Sequence, residues 1–575
     1  MINQKRLRLV STFIIAVSIL LASLPATAQM QRQRNARANG ARAARPKLVL
    51  GIVIDQFRYD FLERFADLFG AGGFRRLMNE GAFFTNANYD YVPTFTAPGH
   101  AAIFTGSVPA QNGIVGNTWF DRQSGKVRIM ISDPAAHALS DNGPSSEAGS
   151  YSPRALIGTT IGDQIRLSNN FQSKVVAVSL KDRAAILPGG QRPNGAFWFS
   201  GNTGTFVSSD YYFKELPAWV KQFNKTERPD KYFGAKWERT LKDDAYRRAQ
   251  ADYLAVQASS LGKKFPYVVT GGEEKPGAKF YGAFELTPFA SEYLADFAKA
   301  ALEAESLGAD QYTDMLSISF STPDLAGHAY GPDSQEVLDI YVRLDKVIAD
   351  LLNYVDKRVG LANTLIFMTG DHGVAPVPEY MRSVGFDADR ISPKEVMEAA
   401  EKALEARFGG EKWVQSFVND QLYLDRKVMA ERKVDPAEAE RVAGEAALTI
   451  PGIVNYFTRS QIVEGRVPAG PIARRVVNGF NRLRSGDVWL IAKPFSFFVE
   501  AALATTHGSA YNYDTHVPVI FFGAGVRPGR YNVECTPSDI APTVAAMLGI
   551  EQPSNRVGRV LVEAIASQQA VGGEQ

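Results

Sequence analysis

The sequence predicts an α/β protein: a three-layer α/β/α sandwich with a mostly parallel central sheet and a small α+β insertion. Three observations lead there. Short apolar runs rich in β-branched residues are continuous rather than alternating, as in strands buried on both faces. Segments with helical spacing lie between them. The runs also end, one after another, in Asp, His, Lys or Arg, and open parallel sheets bind ligands beyond the carboxyl ends of their strands.

In chain order, the first feature is not part of the sandwich. Lys5, Arg6 and Arg8 precede the apolar run LVSTFIIAVSILLASL and an A-x-A pattern at Ala26-Thr27-Ala28. That layout is a secretory signal peptide, residues 1–28, cleaved after Ala28; the apolar run is short for a membrane span. Residues 29–46 hold five Arg without acids or apolar periodicity and read as a basic disordered tether. The folded domain is assigned to 47–575. The whole chain of 575 residues carries a formal charge of +2, and most of the excess positive charge sits in these leading segments. The remaining body is mildly acidic, which argues against a nucleic-acid-binding surface. Cys535 is the only cysteine, so no internal disulfide can form. Stability must come from the core and any bound metal.

The body begins with LVLGIVI, which ends at Asp55. KVVAVSL ends at Lys181-Asp182-Arg183. A helix starts at Thr287-Pro288 and runs to Gly308; MLSISF then leads into S-T-P-D at Asp324. A second helix covers about 334–356, and TLIFMTG ends at Asp371-His372. Residues 392–485 read as a cap insertion: S-P-K-E at 392–395 and D-P-A-E at 435–438 are helix starts, with short strands QLYLD and IVNYF beside them. The aromatic-rich segment 196–282 is a second candidate insertion. VPVIFFG closes the series. No internal repeat is present, and GGEEKPGAKF lacks the Gly-Lys-Ser/Thr ending of a phosphate loop.

Among the six histidines, His328 follows Asp324 by four residues, one helical turn, and His372 adjoins Asp371. His507 precedes the last strand. With Asp55 these make three His and three Asp, enough for two Zn²⁺ sites of mixed nitrogen and oxygen donors. A lone D-x-x-x-H is usually structural; joint placement at strand ends is what points to metal. Two such ions suit in-line phosphoryl transfer. The candidate nucleophile is Thr96 in P-T-F-T-A-P-G-H, at the start of a helix, with a plain N-cap as the alternative.

Seven motifs occur in order: D-Q-F-R-Y-D at 55–60, T-A-P-G-H at 96–100, T-G-S-V-P-A-Q-N-G-I-V-G-N at 105–117, K-D-R at 181–183, P-D-L-A-G-H at 323–328, G-D-H-G at 370–373 and H-G-S-A-Y-N-Y-D-T-H-V-P at 507–518. With P-S-D-I-A-P-T-V-A-A-M-L-G-I near the end, they resemble the alkaline phosphatase superfamily, specifically the exported, monomeric PafA/PhoK type with a threonine nucleophile. The resemblance implies one zinc ion held by Asp324, His328 and His507, and a second by Asp55, Asp371, His372 and the Thr96 oxygen. It implies that Asn117, Lys181 and Arg183 hold the phosphoryl oxygens of small phosphate monoesters, in a periplasmic or secreted monomer. His100 and His516 take supporting roles; His137 reads as a surface residue. A phosphodiesterase or nucleotide pyrophosphatase would share the metals and the threonine but typically lacks the K-x-R pair. A sulfatase is disfavoured, because its modified nucleophile comes from Cys or Ser and position 96 is Thr. A non-catalytic metal- or phosphate-binding protein would not need Thr96.

Overall fold

The computed structural model describes residues 45–145, 149, 151–250, 260–499 and 503–566. The signal peptide and nearly all of the tether lie outside the described residues. Residues Pro46–Ala566 form one compact unit. Among the described residues, no helix is long and apolar enough to cross a membrane.

The core is an eleven-stranded sheet. Its centre is five parallel strands, β1 (Leu48–Ile54), β2 (Val175–Ser179), β3 (Gly195–Ser200), β4 (Asp314–Phe320) and β5 (Thr364–Gly370), in spatial order β5-β1-β4-β2-β3. Both flanks turn antiparallel: Val519–Gly523 pairs with β5, and Thr205–Ser209 pairs with β3. The sheet is therefore mixed, with its parallel part at the centre. Because β3 and Thr205–Ser209 belong to this sheet, the segment from 196 is not an insertion as the sequence suggested; its aromatics (Phe197, Phe199, Phe206) are core.

Helices α1 (Thr96–Thr105), α2 (Asp182–Gly189), α3 (Pro288–Ala304), α4 (Thr322–Tyr330) and α5 (Gln335–Arg358) accompany the strands. The period-2 alternation of a strand shows directly in the packing. Leu48, Leu50, Ile52 and Ile54 of β1 join one apolar cluster with Leu294 and Phe297 of α3 and Leu338 and Ile348 of α5. Val49 and Val53 point the other way, to Ile103 and Phe104 of α1 and to Ile540 and Val544. Helices thus cover both faces. Each fully buried aliphatic side chain contributes about 1.5–3 kcal/mol, which is why these runs are mostly apolar before their ends, with few exceptions such as Ser317 and Ser319 in β4.

Register brings those ends together. Ile54 lies opposite both Phe320 and Gly370. Asp55 and Asp371, one residue beyond, therefore leave the sheet side by side, and α4 opens two residues after β4.

A second apolar core belongs to the cap. Four antiparallel strands, β6 (Val414–Val418), β7 (Gln421–Leu424), β8 (Ile453–Thr458) and β9 (Val488–Ala492), lie in the order β6-β7-β9-β8. Helices α6 (Pro393–Phe408) and α7 (Pro436–Ala447) pack on them, capped by Ser392, which accepts from the Glu395 amide, and by Asp435, which accepts from the Ala437 amide. The cap sheet takes its third strand from 488–492, past the boundary at 485 suggested by the sequence.

Candidate active site

Thr96 is the first residue of α1. Its predecessor Phe95 is the N-cap, in extended conformation, and no side chain caps the helix there; the N-cap alternative for Thr96 is not realised. Pro98 falls within the first turn, where its missing N–H costs nothing. The helix reaches β5 closely because residue 99 is glycine: a Cβ there would stand 2.1 Å from the Asp371 carbonyl oxygen. Thr96 Oγ1 lies 3.4 Å from His372 Nε2, and the Ala97 amide donates to Asn117 Oδ1 at 2.9 Å.

Around this hydroxyl the structure gathers the buried acids and imidazoles. Donor atoms of Asp324, His328 and His507 lie within 4.8 Å of one another, and so do those of Asp55, Asp324 and His372. Asp324 thus belongs to both groups. Asp371, assigned by the resemblance to the second ion, has its Oδ2 3.7 Å from His372 Nε2. Lys181, the N-cap of α2, places Nζ 2.6 Å from Asp55 Oδ2 and 2.5 Å from Asp324 Oδ2. Arg183 sits on the first turn of α2, with Nη1 3.5 Å from Asp182 Oδ1 and its buried Nε without a hydrogen-bond partner. The side chain of His328, 21% exposed, marks where the cluster meets solvent; that of Arg183 is 24% exposed.

The donors fit metal ions. Asp55 Oδ1 and Asp371 Oδ2 are buried carboxylate oxygens without hydrogen-bond partners, and within a cluster of imidazoles that shortfall is what a bound cation would satisfy. The imidazoles give a second indication. Nδ1 of His328, His372 and His507 contacts the backbone carbonyls of Thr505, Gly373 and Thr94 at 2.8, 2.8 and 2.7 Å. A carbonyl only accepts, so each Nδ1 carries a proton, and each ring in its neutral form presents an Nε2 lone pair. Those Nε2 atoms face Asp324 Oδ1 at 3.3 Å (His328) and 3.5 Å (His507), and Asp55 Oδ1 at 3.3 Å (His372). Lone pairs opposed to carboxylates call for a cation between them, and mixed imidazole–carboxylate donors suit zinc.

Electrostatics say the same. Burial, then Asp324 and Asp371, push the Asp55 carboxyl up despite Lys181. Burial works against the charge of Lys181, but Asp324 and Asp55 outweigh it and hold the ammonium charged. At His372 a proton competes for the Nε2 lone pair: burial opposes it, but Asp371 and Asp55 win and raise the ring to about 9, so a metal ion would bind there by displacing that proton. His507 goes the other way, pushed well down by burial and by His372. Three buried carboxylates facing one ammonium make a site that draws positive charge.

The remaining histidines support rather than bind. His100 Nδ1 donates to the Thr96 carbonyl at 2.8 Å and lies 3.3 Å from Asp371 Oδ2, while its Nε2 accepts from Ser319 Oγ at 2.8 Å. His516 stacks on Tyr59, with ring centroids 4.4 Å apart, and its Nε2 bonds the Thr85 carbonyl. His137 pairs with Asp210 at 2.9 Å, away from the cluster. Sequence reasoning missed Gln56. Its Nε2 donates to Asp324 Oδ1 at 2.7 Å and its own amide to Asp371 Oδ1 at 3.1 Å, so it ties two candidate ligands together. Its φ of +63° and the 268-residue separation from Asp324 leave no local signal beyond its place after Asp55.

Comparisons with known proteins agree with this geometry. Residues 49–514 match the type I phosphodiesterase / nucleotide pyrophosphatase family. The alkaline phosphatase PhoV of Synechococcus elongatus is 39% identical over 526 residues, covering 90% of this chain and 93% of that protein. The alkaline phosphatase PafA of Elizabethkingia meningoseptica is also 39% identical over 526 residues, covering 91% and 95%. A crystal structure of wild-type PafA superimposes with a TM-score of 0.84 at 38% identity, covering 91% of this chain and 99% of that one. The chain is a phosphoesterase of the type I phosphodiesterase / nucleotide pyrophosphatase family and belongs, within the alkaline phosphatase superfamily, to the PafA/PhoK type.

Proposed function

We propose that this protein is an exported alkaline phosphatase that hydrolyses small phosphate monoesters through a phosphothreonine at Thr96 and releases inorganic phosphate. The observation that carries this reading is Lys181 set between Asp55 and Asp324, and Asn117 bonded to the first turn of the helix that bears Thr96, beside two donor groups for metal; Arg183 lies two residues beyond Lys181 on α2. Asp324, His328 and His507 would hold one zinc ion, and Asp55, Asp371, His372 and the Thr96 oxygen the other. When bound, two such ions lower the pKa of a hydroxyl or water and stabilise a leaving oxygen.

The chain's own residues account for the rest. Asn117, its Oδ1 taken by the Ala97 amide, keeps its NH₂ for a phosphoryl oxygen. Arg183 offers an unpartnered Nε–H and Lys181 a held ammonium, so together they match the dianionic charge of a monoester. Attack by Thr96 Oγ forms one P–O bond as the bond to the leaving alcohol breaks and that alcohol takes up a proton. Water then cleaves the phosphothreonine, regenerating the hydroxyl.

The relatives PhoV and PafA are named alkaline phosphatases, which supports the monoester reading over the diester activity in the broader family's name. The test is a matched pair of aryl phosphates, monoester and diester, assayed with the purified enzyme: faster monoester turnover is expected, and a diester preference would reverse the assignment. Cleavage after Ala28, read from the first residue of the protein recovered from the periplasm or medium, tests export.

A further inference from the structure

We propose that Asn419, at the tip of the cap hairpin, is a positioning residue for the reaction: it fixes Asn117 and, through it, the start of the helix that carries Thr96. This rests on the reading of Asn117 and Thr96 given above. Asn419 and Asp420 form the two-residue turn between β6 and β7, with φ of +55° and +61°. Asn and Asp tolerate that left-handed geometry, which tight hairpins require.

The turn does more than close the hairpin. Asn419 Nδ2 donates to the Thr118 carbonyl at 2.6 Å, across 301 residues of sequence. The same side chain fills the space above Gly116, where a Cβ would fall 2.2 Å from Nδ2. Both neighbours of Asn117 are therefore held by one cap residue, Gly116 by contact and Thr118 by a hydrogen bond. Asn117 in turn accepts the Ala97 amide at 2.9 Å and takes the Met130 amide on its own carbonyl at 3.2 Å. From Asn419 to the second residue of α1 the path is one hydrogen bond, one peptide and one hydrogen bond.

An ordinary cap-to-body fastening is the competing account, and the interface has such fastenings. Arg122 donates to the Leu424 carbonyl at 3.1 Å and to Asp487 Oδ2 at 2.6 Å. That contact ends on residues that touch nothing in the phosphoryl site. Asn419 ends on the two residues flanking Asn117. Because transition-state stabilisation depends on sub-ångström donor placement, loosening this support lowers turnover without removing a group that touches substrate.

The experiment uses the full-length, metal-loaded enzyme and an aryl phosphate monoester. Asn419→Gly removes the side chain at a backbone angle glycine accepts freely; Asn419→Asp keeps the turn and exchanges the donor for an acceptor. Each is measured alone and with Asn117→Ala, beside Arg122→Ala as the fastening control. The expected result is a roughly tenfold fall in kcat with KM little changed. That loss shrinks to under about twofold in the Asn117→Ala background, and Arg122→Ala stays within about twofold of wild type. Equal losses in both backgrounds, no loss in either variant, or a matching loss in Arg122→Ala overturns the proposal. A slow Asn117→Ala with silent Asn419 variants overturns this proposal alone; a fully active Asn117→Ala overturns the role of Asn117 and this proposal with it. If Asn419→Gly fails to fold, Asn419→Asp carries the same comparison.

Discussion

Buried charge is handled in opposite ways in the sheet and in the cap. In the cap, Asp487 accepts from Arg122 and the Leu424 amide on one oxygen and from Arg426 on the other, at 2.6, 2.8 and 2.8 Å. Both of its oxygens are satisfied. At the strand ends of the sheet, Asp55 Oδ1 and Asp371 Oδ2 are as deeply buried but have no hydrogen-bond partner, and the Nε2 atoms of three imidazoles face carboxylates. A satisfied buried acid holds a fold together. An unsatisfied cluster is waiting for something, and the cost of keeping it unpaired is borne by the close-packed sheet beneath.

The sharpest way to break the contrast is to remove the group the unsatisfied cluster surrounds. Thr96→Ala should lower monoester turnover by at least about 10³-fold while metal content and the unfolding midpoint stay near wild type. Retention of a tenth of the activity would mean the cluster serves some other nucleophile. Next in size is Lys181→Ala with Arg183→Ala. Loss of preorganised charge should cost roughly 10²–10³ in monoester kcat/KM, and much less for the matched diester. Equal losses for both substrates would show that the pair does general binding work. Metal should behave in parallel: chelation is expected to abolish activity, Zn²⁺ to restore it, and elemental analysis of the active enzyme to find two ions per chain.

The satisfied acids should answer to stability instead. Asp487→Ala leaves Arg122, Arg426 and an amide without their acceptor, so the cap should lose about 2 kcal/mol. Calorimetry should show the lowered midpoint, with kcat per folded molecule nearly unchanged. Glu440 offers the smallest effect. Burial raises its carboxyl to about 7, although the Ser460 amide donates to it. A folded-state pKa above the unfolded value means that this group's contribution is full below the unfolded pKa and is lost as pH rises through about 7. The unfolding midpoint should therefore fall between about pH 4.5 and 7 in wild type, and the slope should flatten in Glu440→Gln; an unchanged slope would remove Glu440 from the account.

The same contrast explains what could be read from the sequence. The five runs that became central strands or the antiparallel Val519–Gly523 strand were legible because burial on both faces demands a predominantly apolar composition. Asp55, Asp324, Asp371 and His372 were legible because they interrupt those runs or open the helix beyond. Gln56 and Asn419 were not. Each acts at a positive φ and through a partner hundreds of residues away, and neither condition leaves a local pattern. The cap boundary failed for a related reason: Val488–Ala492 is as apolar as a central strand, and only its pairing with β7 and β8 places it in the cap. Aromatic content misled at 196–282, where Phe197, Phe199 and Phe206 pack in the main core.

The most direct test of the central claim is to look for the covalent intermediate. Enzyme quenched in acid during turnover of an aryl phosphate, then digested and sequenced by mass spectrometry, should carry one phosphoryl group on the peptide containing Thr96, and on Thr96 itself. Thr96→Ser should carry it at the same position. Phosphorylation at any other residue, or its absence under conditions where turnover is shown to be limited by hydrolysis of the intermediate, would contradict the account.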